Sequence, residues 1–461
     1  MSKQQDEARL GNGNIWSVVL SLAIPTMLAQ FVNVLYSIVD RIYIGNMPGI
    51  GDTALAGVGI CGPIVTLIAS FGSLVGLGGA PLMAIKLGEQ DRKGAKQILA
   101  NGFLLLAILS VLLTAAVFLL KNDLLLWFGA SQTLYPYANE YLTWYAAGTL
   151  FSILSTGLNS FIICQGFGKI GMLTVMIGAV ANIVLDPVFI FLFGLGVKGA
   201  AIATVLAQML SAIFAVKFLF GRHTIIRITW KGYSFRLLRR ILLLGLSPFL
   251  ILATDSVMIL ALNGVLQKYG GADGDNLIAA ATIMLSFMQI ITLPMGGITS
   301  GTQPVLSYNY GAGNSARVRK GEACILILCL IFTTVMFLIA RFASVYFVKI
   351  FTRDETLIAM SVKYIHIYTL AIIPLALQYT FVDGLTALGI APAAISLSLF
   401  RKIAVMLTLT FLLPHCYGAE AVFYAEPIAD AVSAVSSTTV FFLLIGKILK
   451  KREHQLGKRA D

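Results

Sequence analysis

Apolar runs, each interrupted by only a few polar residues and closed by short polar stretches, recur from one end of this chain to the other. About twelve can be drawn, near residues 16–45, 53–83, 97–120, 135–163, 171–195, 199–220, 239–266, 277–305, 322–350, 357–388, 393–414 and 418–446. Roughly 20 apolar residues suffice to cross a bilayer as a helix. A chain in hydrocarbon must satisfy its backbone hydrogen bonds internally, which a helix does within one segment. The pattern therefore predicts an all-α polytopic membrane protein with twelve transmembrane helices.

The pattern is also written twice. LAIPTMLAQFVNVLY at 22–36 has a counterpart in LGLSPFLILATDSVM at 244–258, with Pro25 and Pro248 separated by 223 positions. The same displacement carries Pro81 onto Pro304 and Gly88 onto Gly311. Further on, GAAIATVLAQMLSAIFAV (199–216) lies over GAEAVFYAEPIADAVSAV (418–435). Six spans per copy is an even number, so both halves share one orientation and a pseudo-two-fold axis along the membrane normal is expected. The division is a tail over 1–14, an N-lobe over 15–220, a basic connector over 221–238, a C-lobe over 239–446 and a basic tail over 447–461. Pro25, about ten residues into span 1, removes one helical hydrogen bond and is either a static kink or a hinge.

Composition agrees with the pattern. Hydrophobic residues make up 58% of the 461 and charged residues 12%, with a mean hydropathy of +0.88, against about 25% charged in a soluble domain. The net charge of +12 could suggest nucleic acid, but its placement argues otherwise. Basic residues crowd alternate loops: Lys86, Arg92, Lys93 and Lys96, then Lys169, then seven between Lys217 and Arg240, then Arg317, Arg319 and Lys320, then six from Lys447 onward. The opposite loops hold few, Arg341, Lys349 and Arg353 being the exception. That asymmetry places both termini in the cytoplasm. It leaves no soluble basic face for nucleic acid. Five cysteines, Cys61, Cys164, Cys324, Cys329 and Cys416, occur without a CxxC and read as buried small hydrophobes. The polar first 14 residues lead into a span with no small-residue cleavage site, so a removable signal peptide is not expected.

Against this apolar background, charges inside spans are the informative residues, because a carboxylate at a helix centre costs about 2.5–3.5 kcal/mol to insert. Glu140, Lys363 and His366 lie near span ends, where an ion pair or interfacial position explains them. Asp40, Asp186, Asp255, Glu426 and Asp430 do not. A rise of about 1.5 Å per residue puts Asp40 about 9 Å below the outer end of span 1, Asp186 about 12 Å below that of span 5, and Thr204 about 9 Å into span 6. Asn182 shares a face with Asp186 by i,i+4 spacing. Two carboxylates, an amide and a hydroxyl thus fall in one slab of the first half. Oxygen donors alone suit a hard cation, so a sodium ion, or a proton shared by the two aspartates, is the expected occupant. Two carboxylates at close range repel unless such a cation sits between them. Pro187, next to Asp186, could free a backbone carbonyl to ligate or to bend.

The second half has its own cluster. Asp255, Arg401, Glu426 and Asp430 come out about 12–20 Å below the outer side, and the arginine favours a structural ion-pair network. Asp383 lies nearer the cytoplasmic end and is expected to face solvent. GFGKIG at 166–171 matches a dinucleotide fingerprint in letters only, since no strand precedes it. No Walker motif, catalytic triad or metal-spaced histidines occur, so no enzyme activity and no cofactor is expected. An ion gradient would supply the energy.

Together these residues resemble the multidrug and toxic compound extrusion (MATE) transporters, and within them the bacterial MepA-like branch. The resemblance covers essentially the whole chain. It rests on PTMLAQFVNVLYSIVD (25–40), APLMAIKLGEQDRKGA after span 2, NIVLDP, GVKGAAIAT, SLFRK and EPIAD. It implies two six-helix lobes around a central cleft and export of cationic, amphipathic compounds by alternating access, in exchange for sodium or protons. It also implies a multi-pass protein of the bacterial cytoplasmic membrane, working as a monomer. The family's N-lobe cation site falls on Asp40, Asn182, Asp186 and Thr204, and its bending proline on Pro25. Met27, Tyr36, Met176 and Phe287 are the aromatic and methionine residues expected to wall the cleft. Two rivals stay open. A major-facilitator drug/proton antiporter would want a GxxxDRxGRR-like loop where this chain has KLGEQDRKGAKQ. A flippase for a lipid-linked precursor would want a cationic cavity.

Overall fold

A computed structural model describes residues 10–128, 130, 132–271 and 274–460. Most of the predicted N-terminal tail, residues 1–9, and the last residue of the C-terminal tail lie outside the described residues. Among the described residues, ten helices are long and apolar enough to cross a membrane, and two bent pairs bring the number to twelve. In chain order they are α1 (Ile15–Gly45), α2 (Gly51–Gly88), α3 (Arg92–Trp127), α4a and α4b (Tyr135–Ala147, Thr149–Ile163), α5 (Gly168–Leu192) and α6 (Gly196–Phe220). The second half has α7 (Phe235–Tyr269), α8 (Gly274–Gly311), α9 (Ser315–Phe342), α10a and α10b (Glu355–Tyr368, Ile372–Ala387), α11 (Ala391–Tyr417) and α12 (Ala425–Ala460). The predicted spans all correspond to helices. The protein is a multi-pass membrane protein.

The repeat survives into local geometry. Asp91 caps α3 by accepting from the Gly94 N–H at 2.8 Å, and Asn314 caps α9 by accepting from Arg317 N–H at 3.1 Å. These caps are 223 positions apart. So are the residues just before them that turn left-handed, Gln90 (φ 60°) and Gly313 (φ 75°). The bent spans also correspond, with 57° between α4a and α4b and 49° between α10a and α10b. At the first bend a Cβ on Gly148 would come within 2.5 Å of a Val205 methyl. Only the absence of a side chain lets α4 turn against α6.

Helices α1–α6 form one lobe and α7–α12 the other, joined chiefly where α1 packs against α8 and α2 packs against both α7 and α8. Glycine makes the approach possible: a Cβ on Gly78 would lie 2.7 Å from the Gly245 nitrogen, and one on Gly297 2.8 Å from the Thr26 carbonyl. At the ends of α2 and α8, a Cβ on Gly311 would fall 2.8 Å from the Ile85 carbonyl carbon. Its repeat counterpart Gly88 would meet the Tyr308 carbonyl carbon at 2.8 Å. These approaches gather toward the end of the bundle where both termini emerge, here termed the terminal face. There Arg317 and Asn309 donate to the Leu10 carbonyl. Arg452 of α12 bridges the lobes, donating to the Gly311 carbonyl at 2.7 Å and to Glu89 of the α2–α3 turn. The tail expected from 447 onward is therefore helical, a continuation of α12 with Arg452 buried.

The basic connector is docked as a strap. Ile225, Ile226 and Ile228 are buried, while Arg222, Arg227 and Lys231 face outward. Gln165 accepts from Thr224 Oγ1 and the Ile226 N–H, both at 2.7 Å, and Asn101 holds Gly232 and Ser234. Large apolar side chains on the outside, among them Leu112, Leu119, Phe442 and Leu443, form the surface that lipid covers. Four of the five cysteines are buried and Cys416 is exposed.

Candidate functional site

Pro25 is buried within a continuous α1, and the Ser21 carbonyl it leaves without a helical donor faces Gly168, whose Cβ would lie 3.1 Å away. Nearly three turns beyond the helix middle, the same α1 delivers Asp40 to α5 and α6. Pro187 ends regular hydrogen bonding in α5, and the helix continues as a wide π turn over Val188–Leu192. Such turns often mark functional positions. Two residues before this turn, Asp186 points inward and is fully buried; Asn182, one turn earlier, is 2% exposed.

The four expected residues converge. Asn182 Nδ2 donates to Asp186 Oδ1 at 3.1 Å and to Thr204 Oγ1 at 3.4 Å. The carboxyl groups of Asp40 and Asp186 face each other within hydrogen-bond reach. What remains unsatisfied is as informative: Asp40 Oδ1, Asp186 Oδ2 and Asn182 Oδ1 are buried without a donor. Buried acceptors left without donors cost several kcal/mol together, and two facing carboxylates add repulsion. A sodium ion or a proton relieves both. The donors are all oxygens, from two carboxylates, an amide and a hydroxyl, a set whose chemistry suits a hard cation.

Three tyrosines complete the site. Tyr141 of α4a reaches Thr204 and stands beside Asp40. Tyr145, one turn on, accepts from Gln208 Nε2 at 3.2 Å. Tyr36 of α1 lies near Tyr145 and both aspartates, so this expected cleft residue belongs at the edge of the Asp40–Asp186 cluster. Tyr141 and Tyr145 were not singled out in the sequence, although the repeat marks them: Tyr364 and Tyr368 follow at the same displacement of 223.

In the C-lobe the expected ion pairing is found, with one change of partner. Arg401 donates to Asp430 Oδ1 from Nε (3.0 Å) and Nη2 (2.7 Å), and to Glu426 Oε1 at 2.8 Å. Asp255 pairs instead with Lys402 at 2.6 Å. A π turn over Phe400–Leu407 carries both basic residues. Lys363 pairs with Glu420 near a span end, as its position suggested.

Two expectations need correction. Asp383 does not simply face solvent: it receives hydrogen bonds from Thr299 and Gln303 of α8 and lies near Glu322 of α9, a buried acid that the sequence reading passed over. Phe287 does not wall a cleft. It is 2% exposed and packs edge-on against Phe347, ring centroids 5.1 Å apart, in the C-lobe core. Met27 and Met176 are half-buried.

Two helical lobes related by an internal repeat, each with a buried polar cluster beside an irregular helix turn, have the build of a membrane transporter rather than an enzyme. The model of the MatE family matches both halves separately, residues 25–188 and 249–412. The chain belongs to this family, the MATE transporters. Among curated proteins it is similar to the multidrug export protein MepA of Staphylococcus saprophyticus, 23% identical over 437 residues and 94% of each chain. MepA of Staphylococcus aureus is 22% identical over 435 residues, 93% of this chain and 94% of that one. Among solved structures, an outward-facing multidrug resistance MATE family transporter of the MOP superfamily superposes with a TM-score of 0.89 at 23% identity, covering 96% of this chain and 98% of that one. A MOP superfamily transporter from Pyrococcus furiosus gives the same TM-score and identity, over 95% and 98%.

Proposed function

We propose that this protein is a multidrug efflux antiporter that exports cationic, amphipathic compounds across the bacterial cytoplasmic membrane in exchange for sodium ions or protons. The observation that carries this reading is the convergence of Asp40, Asn182, Asp186 and Thr204 with three buried oxygens lacking donors. The similarity to MepA proteins supports drug export as the cargo side of the cycle. With both termini in the cytoplasm, as the distribution of basic residues indicates, the glycine-lined seam closes the cytoplasmic side. The cation site then lies toward the outside, where a gradient-driven ion arrives.

The residues account for a cycle in a monomer. A cation entering from outside neutralises the Asp40–Asp186 pair and draws α1, α5 and α6 together. Drug bound beside α1 loses its place and leaves outward. Pro25 gives α1 a point at which to bend, since its ring removes a hydrogen bond that would resist bending. Release of the cation inward, once the seam has parted, resets the pair. Against a lipid-precursor flippase, the basic side chains Arg401 and Lys402 are committed to acids and present no cationic cavity. Asp40→Asn, expressed in a drug-sensitive host, is expected to abolish resistance while protein remains in the membrane. Resistance equal to wild type would make the cluster architectural.

A further inference from the structure

Glu322 and Asp383 are buried-lobe carboxyls that the cation cycle leaves unused, and neither comes from the repeat: 223 positions earlier stand Leu99 and Ser160. Glu322 lies two turns into α9 and is 6% exposed. Its carboxyl is seated in the notch that Gly384 leaves in α10b, where a Cβ would come within 2.9 Å of both Cδ and Oε2. Asp383, the residue before that glycine, stands beside it and is half-buried. The two acids have unequal surroundings. Asp383 accepts from Thr299 and Gln303 of α8, whereas Glu322 Oε1 is buried without a donor. Thr380, one turn before Gly384 on the same face, is 2% exposed, and its hydroxyl also finds no hydrogen-bond partner. It lies at the Cys329 thiol, which stands close to both carboxyls. No base relieves the pair. The stretches of neighbouring helices packed on α10b, 296–307 of α8, 391–400 of α11 and 431–446 of α12, carry no charged residue. Lys86 of α2 is engaged by Glu89 and Asp91. That leaves Cys329 as the one other titratable group described beside them.

We propose that Glu322 carries a proton that it shares with Asp383, and that Asp383 is the outlet through which this proton exchanges. Two neighbouring carboxylates with no base beside them do not both stay ionised away from water. A protonated carboxyl gains an O–H donor. With the proton on Oε1, Glu322 donates to the Asp383 carboxylate, and the orphaned oxygen has its partner. Asp383 is the member suited to the charge, because α8 already supplies it with two donors. The notch favours a proton over a metal ion: the Glu322 carboxyl fills it, a proton needs no further room, and the adjacent thiol is a poor ligand for a hard cation. Gln303, which holds Asp383, also lines a cavity of about 30 Å³ between the lobes, together with Pro81 and Ser160 of the N-lobe. That is room for a single water. The outlet leads toward the space that changes as the lobes move. A part for this proton in export rests on the function proposed above; its presence on Glu322 does not.

The test is infrared spectroscopy of the full-length protein in proteoliposomes near neutral pH, with D2O as the probe. Wild type is expected to show a protonated-carboxyl C=O band that Glu322→Gln, the isostere of the neutral acid, removes. Asp40→Asn and Asp186→Asn should leave that band in place. Asp383→Asn should keep it at a shifted position, since Glu322 then stays buried with no anion beside it. Exchange of this proton into D2O should slow by about tenfold or more in Asp383→Asn, because a positioned carboxylate no longer relays it. A wild-type spectrum that loses no protonated-carboxyl band in Glu322→Gln overturns the proposal, as Glu322 is then ionised. Equal exchange rates in wild type and Asp383→Asn overturn the outlet. Disappearance of the Glu322 band on addition of sodium chloride marks a metal-ion site and overturns the proton. If Glu322→Gln does not fold, the comparison with Asp383→Asn decides alone. Wild-type efflux that responds to no cation gradient, alongside the Glu322 band, refutes the exchange function and leaves the proton site standing.

Discussion

Gly311→Ala is the sharpest perturbation of the seam. In this structure the added methyl carbon would sit 2.8 Å from the Ile85 carbonyl carbon and 2.9 Å from its Cα, and closer still to the carbonyl oxygen. Ordinary contacts begin near 3.4 Å, and the obstacle is backbone, which cannot rotate away. The ends of α2 and α8 must therefore separate by at least several tenths of an ångström. Overpacking of this kind costs about 1–3 kcal/mol, and each 1.4 kcal/mol shifts an equilibrium about tenfold. The cost falls on the state in which the terminal face is closed and vanishes where the lobes have parted, so populations move toward the parted state by about 5-fold to 140-fold. Spin labels on Lys93 and Arg319, both exposed at the terminal face, report the change in a Cys416→Ser background. The variant should show a longer distance population in nanodiscs. Gly62→Ala, whose Cβ meets nothing within 4 Å, serves as the control. A distance distribution superimposable on wild type for Gly311→Ala would refute the assignment of this seam as the gate.

Tyr141→Phe removes the hydroxyl that reaches Thr204 and should weaken cation dependence of transport by about 3–10-fold, as one hydrogen bond of about 1 kcal/mol allows, read as the half-saturating ion concentration. Glu89 supplies a pH test at the terminal face. Burial alone would raise its carboxyl, but hydrogen bonds from Lys86 and Arg452 hold it below the ordinary glutamate value. Its contribution to closure is therefore complete above that ordinary value and lost as pH falls through the lowered one. The Lys93–Arg319 distance should lengthen on strong acidification, whereas Glu89→Gln should flatten that dependence. Phe287→Ala should cost about 3–5 kcal/mol of stability, seen as a lower melting temperature, while leaving the range of exported compounds unchanged.

Much of this architecture was legible in the sequence because lipid permits so few solutions. A span must be helical, and a polar residue within it needs a partner, so Asp40, Asn182, Asp186 and Thr204 could be brought to one depth by counting rise per residue. Depth, however, is a single coordinate. Which way a side chain points around its helix is set by packing, and there the sequence was silent. Asp383 had the right height to reach solvent, yet its face of α10b turns to Thr299 and Gln303. Asp255 and Arg401 shared a level, yet the adjacent Lys402 on the π turn took the aspartate. Phe287 looked like a wall residue by type alone, and packing placed it in the core. Tyr141 escaped notice because tyrosine is common in such spans; only its repetition at Tyr364 distinguishes it.

Gradient-driven efflux of a fluorescent organic cation from proteoliposomes, with sodium and pH gradients imposed separately, addresses the cation site most directly. Wild type should respond to one of the two gradients, and Asp186→Asn should bind the fluorophore yet respond to neither. Gradient-driven efflux by Asp186→Asn at the wild-type rate would contradict a cation held between α1, α5 and α6.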